Sequence, residues 1–89
     1  MRENSDLFST QKISFIQKDR KSRLRSIILE VERALSEKGY DPSIQIAGYI
    51  LSSDPTYITS HNNARKLIAA LDRDDLLEEL ISFYLEKNL

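Results

Sequence analysis

Apolar residues recur at helical spacing over most of the chain. Leu24, Ile27, Ile28, Val31, Ala34 and Leu35 follow one another at steps of three and four, which puts them on one face of a helix running from about Lys18 to Lys38. Gly39 directly after Lys38 supplies the left-handed residue that closes many helices, and Lys38 suits the negative end of the dipole. Asp41-Pro42 then reads as an N-cap followed by a first helical proline, opening a second helix to about Leu51. Its Ile44, Ile46, Ala47, Tyr49, Ile50 and Leu51 surround most of the circumference, so this helix is central or shared with a second subunit. Gly48 inside it costs about 1 kcal/mol against alanine, a cost that a close helix crossing would explain.

Asp54-Pro55 repeats the cap-and-proline pair and predicts a single turn that delivers Tyr57 and Ile58 into the core. Ser60 caps a predicted third helix from His61 to Leu71, with Ala64, Leu67, Ile68 and Leu71 inward. Asp72 caps the last helix, Arg73 to about Lys87, with Leu76, Leu77, Leu80, Ile81, Phe83 and Tyr84 inward and Asp74, Asp75, Glu78 and Glu79 at its positive end. No alternating apolar pattern flanked by hairpin turns interrupts this. The expected fold is all-α: a small bundle of four main helices plus a short helical turn over residues 17–89, preceded by a flexible arm at 1–16 whose scattered apolar residues keep no helical period.

The totals bound this picture. A chain of 89 residues is one domain that buries about 60–65% of its unfolded surface, so a second subunit would help it. The absence of cysteine removes disulfides and thiolate metal sites, and no apolar run approaches the roughly 18 residues of a membrane span. With no secretory leader pattern either, the expected location is cytoplasmic, without membrane insertion. Net charge is −1, but residues 1–40 carry nine Lys/Arg against six Asp/Glu, and residues 41–89 carry four against eight. Such a split favours contacts between halves or between subunits as readily as an outside ligand.

The densest charge is the run Lys18, Arg20, Lys21, Arg23 and Arg25, opposed locally by Asp19 alone. It is a solvated face or a surface for an anionic partner: nucleic acid, an acidic protein, or a phosphate on the adjacent arm. The lone His61 stands in a polar helix start, and the acids of the last helix are explained by its dipole. Phosphate-loop, EF-hand and zinc spacings are absent, so no enzyme, metal, cofactor or small-molecule substrate is expected. A nucleic-acid module would use the basic run 18–25 together with His61, Asn62, Asn63, Arg65 and Lys66 as a recognition helix. The connection from Leu51 to Ser60 is longer than a helix-turn-helix turn, and the net charge opposes it.

The stretch GYDPSIQIAGYILSSDPTYI at 39–58 resembles the IreB/ReoM regulators of Gram-positive bacteria, as do Asn63-Ala64-Arg65, Arg73-Asp74 and EELISFYL at 78–85. The resemblance covers roughly 24–87. It implies a small helical homodimer whose N-terminal arm is phosphorylated on threonine by a membrane PASTA-domain Ser/Thr kinase, in control of peptidoglycan synthesis. In one branch the unphosphorylated protein promotes degradation of the enolpyruvyl transferase MurA by the ClpCP protease. Ungapped counting from Gly39-Tyr40 puts the acceptor at Thr10, and the retained Arg65, Arg73 and Asp74 are the implied partner contacts. Lys18, Arg20, Lys21, Arg23 and Arg25 are the candidate dock for the phosphate, and Ile46, Tyr49 and Ile50 the candidate dimer or core positions. The chain differs from the family pattern in this basic run, where acids are frequent, and at Ser60 and Ala69, where arginines are common. An inert dimerisation module is the remaining reading.

Overall fold

The computed structural model describes the backbone from Arg2 and side chains from Asp19 to Leu89. The backbone over 2–16, expected as an arm without helical period, falls within the first helix, while the side chains of 1–18, those of Thr10 and Lys18 among them, lie outside the described residues. The elements are α1 (Arg2–Glu37), α2 (Pro42–Ser52), a 3-10 turn (Pro55–Tyr57), a second 3-10 turn (His61–Asn63), α3 (Ala64–Ala69) and α4 (Arg73–Asn88). There is no strand among the described residues, and the fold is all-α as the periodicity predicts.

Four of the predicted boundaries form for the predicted reasons. Gly39 sits at φ +85° and closes α1: its N–H donates to the Ser36 carbonyl at 3.0 Å while the Tyr40 N–H donates to that of Leu35 at 2.9 Å. This pair of bonds satisfies carbonyls that the helix end would otherwise leave open. Asp41 Oδ1 accepts from the Ile44 N–H at 3.2 Å with Pro42 behind it, and Asp72 Oδ1 accepts from the Asp74 N–H at 2.8 Å. Asp54 does the same for the turn at Pro55, accepting from both the N–H and the hydroxyl of Thr56 at 3.0 and 2.7 Å.

The third helix departs from expectation. Asn62 and Asn63 lie at φ 53° and 61°, in the left-handed region, and Ser60 makes no side-chain cap. Regular helix therefore starts only at Ala64 and ends at Ala69. The capping role passes to Thr59, whose Oγ1 accepts from the His61 N–H at 3.2 Å and whose carbonyl accepts from Arg65 N–H at 3.1 Å. Asparagine tolerates this conformation better than other non-glycine residues, which is the local reason the kink can form.

The core is centred on α1 rather than on the apolar α2. Helix α1 packs against α2, α3, α4 and the second turn. Ile27, Val31, Ala34 and Leu35 meet Ile46 and Tyr49 from α2, Ile58, Ala64 and Ile68 from the third region, and Leu76 from α4. Val31, Leu35, Ile58, Ile68 and Leu76 are sealed from solvent, each contributing about 1.5–3 kcal/mol by burial. Ile58 is the plug the sequence predicts; Tyr57 is not, being 41% exposed. Its ring lies across Gly48, where a Cβ would stand 2.5 Å from Tyr57 Cδ1. The close approach at Gly48 is thus with an aromatic ring rather than with a crossing helix.

Helix α4 shows the largest difference from its predicted inward face. Leu76 and Leu80 turn inward with Glu79 between them, while Leu77, Ile81, Phe83 and Tyr84 are exposed. Ile44 and Leu51 of α2 are exposed as well, although Ile46 and Tyr49 are buried. The apolar circumference of α2 is therefore split: one side enters this chain's core, and the other faces out.

Candidate functional site

The basic stretch of α1 meets the acidic first half of α4. Arg25 Nε donates to Glu79 Oε2, and the guanidinium also lies over the Phe83 ring, 5.6 Å from its centroid. The Glu79 side chain is only 4% exposed, and Arg25 is its partner. One side chain further out, Arg20 Nη2 reaches Asp75 Oδ2 at 3.0 Å, and here both groups are open to water. The +3 and −4 halves of the sequence are therefore joined within one chain, one pair buried on the acid side and one exposed.

Between these helices lies an open groove of about 690 Å³. Arg20, Lys21 and Arg23 form its basic wall, Asp72, Asp75, Glu78 and Glu79 its acidic wall, with Leu24 and Leu71 among its apolar lining. Among the described residues, Lys21 and Arg23 take part in no ion pair. Of the five cations predicted as a phosphate dock, two are thus committed to α4 carboxylates, two line the groove unpaired, and Lys18 is outside the described side chains.

Arg65 and Arg73 are placed differently. Arg65 Nε donates to the Ile58 carbonyl at 2.8 Å, and Arg73 Nη1 donates to the Ile50 carbonyl at 2.6 Å. Gln45 Nε2 donates to the Tyr57 carbonyl at 2.8 Å. These three side chains satisfy carbonyls from the last turn of α2 at Ile50 to Ile58 after the 3-10 turn, which helices cannot do for themselves at their ends. Arg65 also faces Asp54, whose carboxyl is held below its ordinary range, first by the Thr56 hydroxyl and N–H and then by the Arg65 charge. Asp74 is exposed in the first turn of α4, beside Arg73.

Ile46 and Tyr49 are core residues in the single chain and Ile50 is half-buried against them. The acids Asp75 and Glu79 were explained in the sequence by the helix dipole alone; their pairing with α1 is what that reading missed. The charge split between halves was the signal for it, but a split cannot say which carboxylate meets which cation. His61 Nε2 lies 2.7 Å from Glu37 Oε1, tying the turn before α3 to the end of α1. Asn62 and Asn63 stand on that turn, not on a helix, so the predicted recognition helix lacks its opening residues. Among the described residues no group of three or more metal-ligating side chains comes together, and no helix is long and apolar enough to cross a membrane.

The family profile described as IreB regulatory phosphoprotein matches residues 9–86. A UPF0297 protein of Ruminiclostridium cellulolyticum is 48% identical over 73 residues, covering 82% of this chain and 83% of the relative. Another, from Lachnoclostridium phytofermentans, is 50% identical over 74 residues, covering 83% and 84%. By this match and these relatives, the chain belongs to the IreB regulatory phosphoprotein family.

Proposed function

We propose that this protein is a non-enzymatic, cytoplasmic regulatory adaptor, working as a homodimer and controlled by phosphorylation of Thr10 by a PASTA-domain Ser/Thr kinase. The observation that carries the reading is the match to a regulatory phosphoprotein family over 9–86, a span that includes Thr10. The regulated process is peptidoglycan precursor synthesis, through ClpCP-dependent turnover of MurA, with Arg65, Arg73 and Asp74 as partner contacts. Each arginine spends one N–H on a backbone carbonyl, leaving further donors of its guanidinium for a partner. The exposed Ile44 and Leu51 on the uncharged α2 supply apolar area for a second copy.

Mass spectrometry after incubation with the cognate kinase tests this directly. One phosphate is expected on the wild-type chain and none on Thr10→Ala. Modification elsewhere, or no modification, would remove Thr10 as the control point. MurA abundance followed after a shut-off of synthesis tests the downstream step: cells carrying Thr10→Ala should lose MurA faster than wild type, and an unchanged half-life would detach the protein from that pathway.

A further inference from the structure

Helix α4 turns one pair of acids toward α1 and another pair away from it. Asp75 and Glu79 are held by Arg20 and Arg25, whereas Asp74 and Glu78 are exposed and form no ion pair among the described residues. At about 100° per residue, Leu77, Ile81, Tyr84 and Leu85 share with Asp74 and Glu78 an arc of about 120°, opposite Leu76 and Glu79. Those four apolar side chains are between 43% and 66% exposed. A hollow of about 300 Å³ lies on this side, lined by the row Asp74, Glu78 and Ser82 and the row Leu77 and Ile81. The two rows are neighbouring ridges of one helix, and the groove between such ridges is where a second helix sets its own.

Charge decides what fits there. Besides the two acids held by α1, the helix carries Asp74, Glu78 and Glu86 against only Arg73 and Lys87. Arg73 donates to the Ile50 carbonyl, and Lys87 lies over the Phe83 ring, 5.4 Å from its centroid. Two copies of α4 laid face to face would therefore set these acids against one another with no uncommitted cation between them, an arrangement that like-charge repulsion disfavours. The complementary occupant is apolar along its middle and basic along its edge.

We propose that the outer face of α4 docks an amphipathic helix of another protein, whose apolar residues, one turn apart, are flanked by lysines or arginines. Its apolar residues pack on Leu77, Ile81 and Leu85, the spacing by which a helix is read in a groove, and its cations meet Asp74 and Glu78. The pairs at Arg20 and Arg25 hold α4 in one rotation about its axis, so the face is presented before a partner arrives. This goes beyond the function proposed above and holds whichever process the protein regulates; the uncharged α2 is left to the second copy.

The test titrates the isotope-labelled full chain with two synthetic helical peptides that share one stripe of leucines at single-turn spacing, flanked in one by lysines and in the other by glutamates. Amide shifts should be confined to residues 74–85, and the lysine peptide should bind about tenfold more tightly, since each of two exposed ion pairs favours it about two- to fivefold. Asp74→Lys with Glu78→Lys should invert the preference. Leu77→Ser with Ile81→Ser should abolish binding of both peptides, with a urea midpoint to show that the variant folds; the lysine variant decides the matter if it does not. Equal binding of the two peptides, an unchanged preference in the lysine variant, or shifts centred on α2 or on the groove between α1 and α4 overturns the proposal. Loss of self-association in the folded serine variant, read by sedimentation, assigns the face to a second copy and also overturns it.

Discussion

Replacing Arg25 by alanine should cost this protein about 2–3 kcal/mol. Removing one partner of a fully buried ion pair typically costs about 3–5 kcal/mol, because the remaining charge is left without compensation. Glu79 meets that condition at 4% side-chain exposure, but Arg25 is 43% exposed, so water can enter where the guanidinium stood and the loss is smaller. The contact of the guanidinium with Phe83 adds about 0.5–1 kcal/mol to what is lost, and is included in the figure. Against a total stability of about 5–15 kcal/mol for a domain, the midpoint of thermal unfolding should fall by about 8–20 °C. Urea unfolding followed by helical circular dichroism measures it, at one fixed protein concentration so that any self-association stays constant. Glu79→Ala and the double variant complete a cycle, whose coupling energy should exceed about 1 kcal/mol. A loss below about 0.5 kcal/mol for Arg25→Ala, or additive single effects, would mean that Glu79 is solvated and that α1 and α4 are joined by their apolar residues alone.

Three further outcomes follow from the same geometry. Gly48→Ala should destabilise by about 1 kcal/mol despite its better helix propensity, since the new methyl meets the Tyr57 ring; in a Tyr57→Ala background the same change should become stabilising, and urea midpoints compare the two. Gly39→Ala should cost about 1 kcal/mol through the backbone alone, as no atom lies within 4 Å of the added Cβ, and Gly39→Asn should recover part of it. Asp54 has a folded pKa below its ordinary value of 3.8, so its stabilisation is present at neutral pH and is lost as pH falls through the lowered folded value. Asp54→Asn should therefore flatten the acid side of a stability profile measured from pH 7 to pH 2, and an unchanged acid limb would refute the assignment.

The legible parts of the fold were those decided within a turn or two of chain. Asp41-Pro42, Asp54-Pro55 and Asp72 announce their caps because a short carboxylate beside a proline or at a helix start has few other ways to spend its acceptors. Gly39 announces a helix end because the left-handed position penalises a side chain. The inward stripe of α1 was equally plain, since apolar residues at steps of three and four share one side. Asn62 and Asn63 are compatible with a helix start by type but adopt left-handed conformations, so α3 begins later than its sequence predicts.

At the candidate site, sequence supplied residue types and tertiary structure supplied partners. Lys18 to Arg25 were visible as a basic run, and Asp72 to Glu79 as acids suited to a helix start, from local order alone. That Arg25 and Glu79 meet, 54 positions apart, with Glu79 buried and Asp75 exposed, depends on how α4 crosses α1. Helical periodicity says which residues share a face; it is silent on which neighbour that face finds. Hence the sequence determines an all-α chain with defined starts and stops. Only packing decides that Arg65 and Arg73 hold backbone carbonyls, and that within the basic run Arg25 is locked to a buried carboxylate and Arg20 to an exposed one. Charge interactions fall off with distance and depend on exposure, and both are properties of the folded chain.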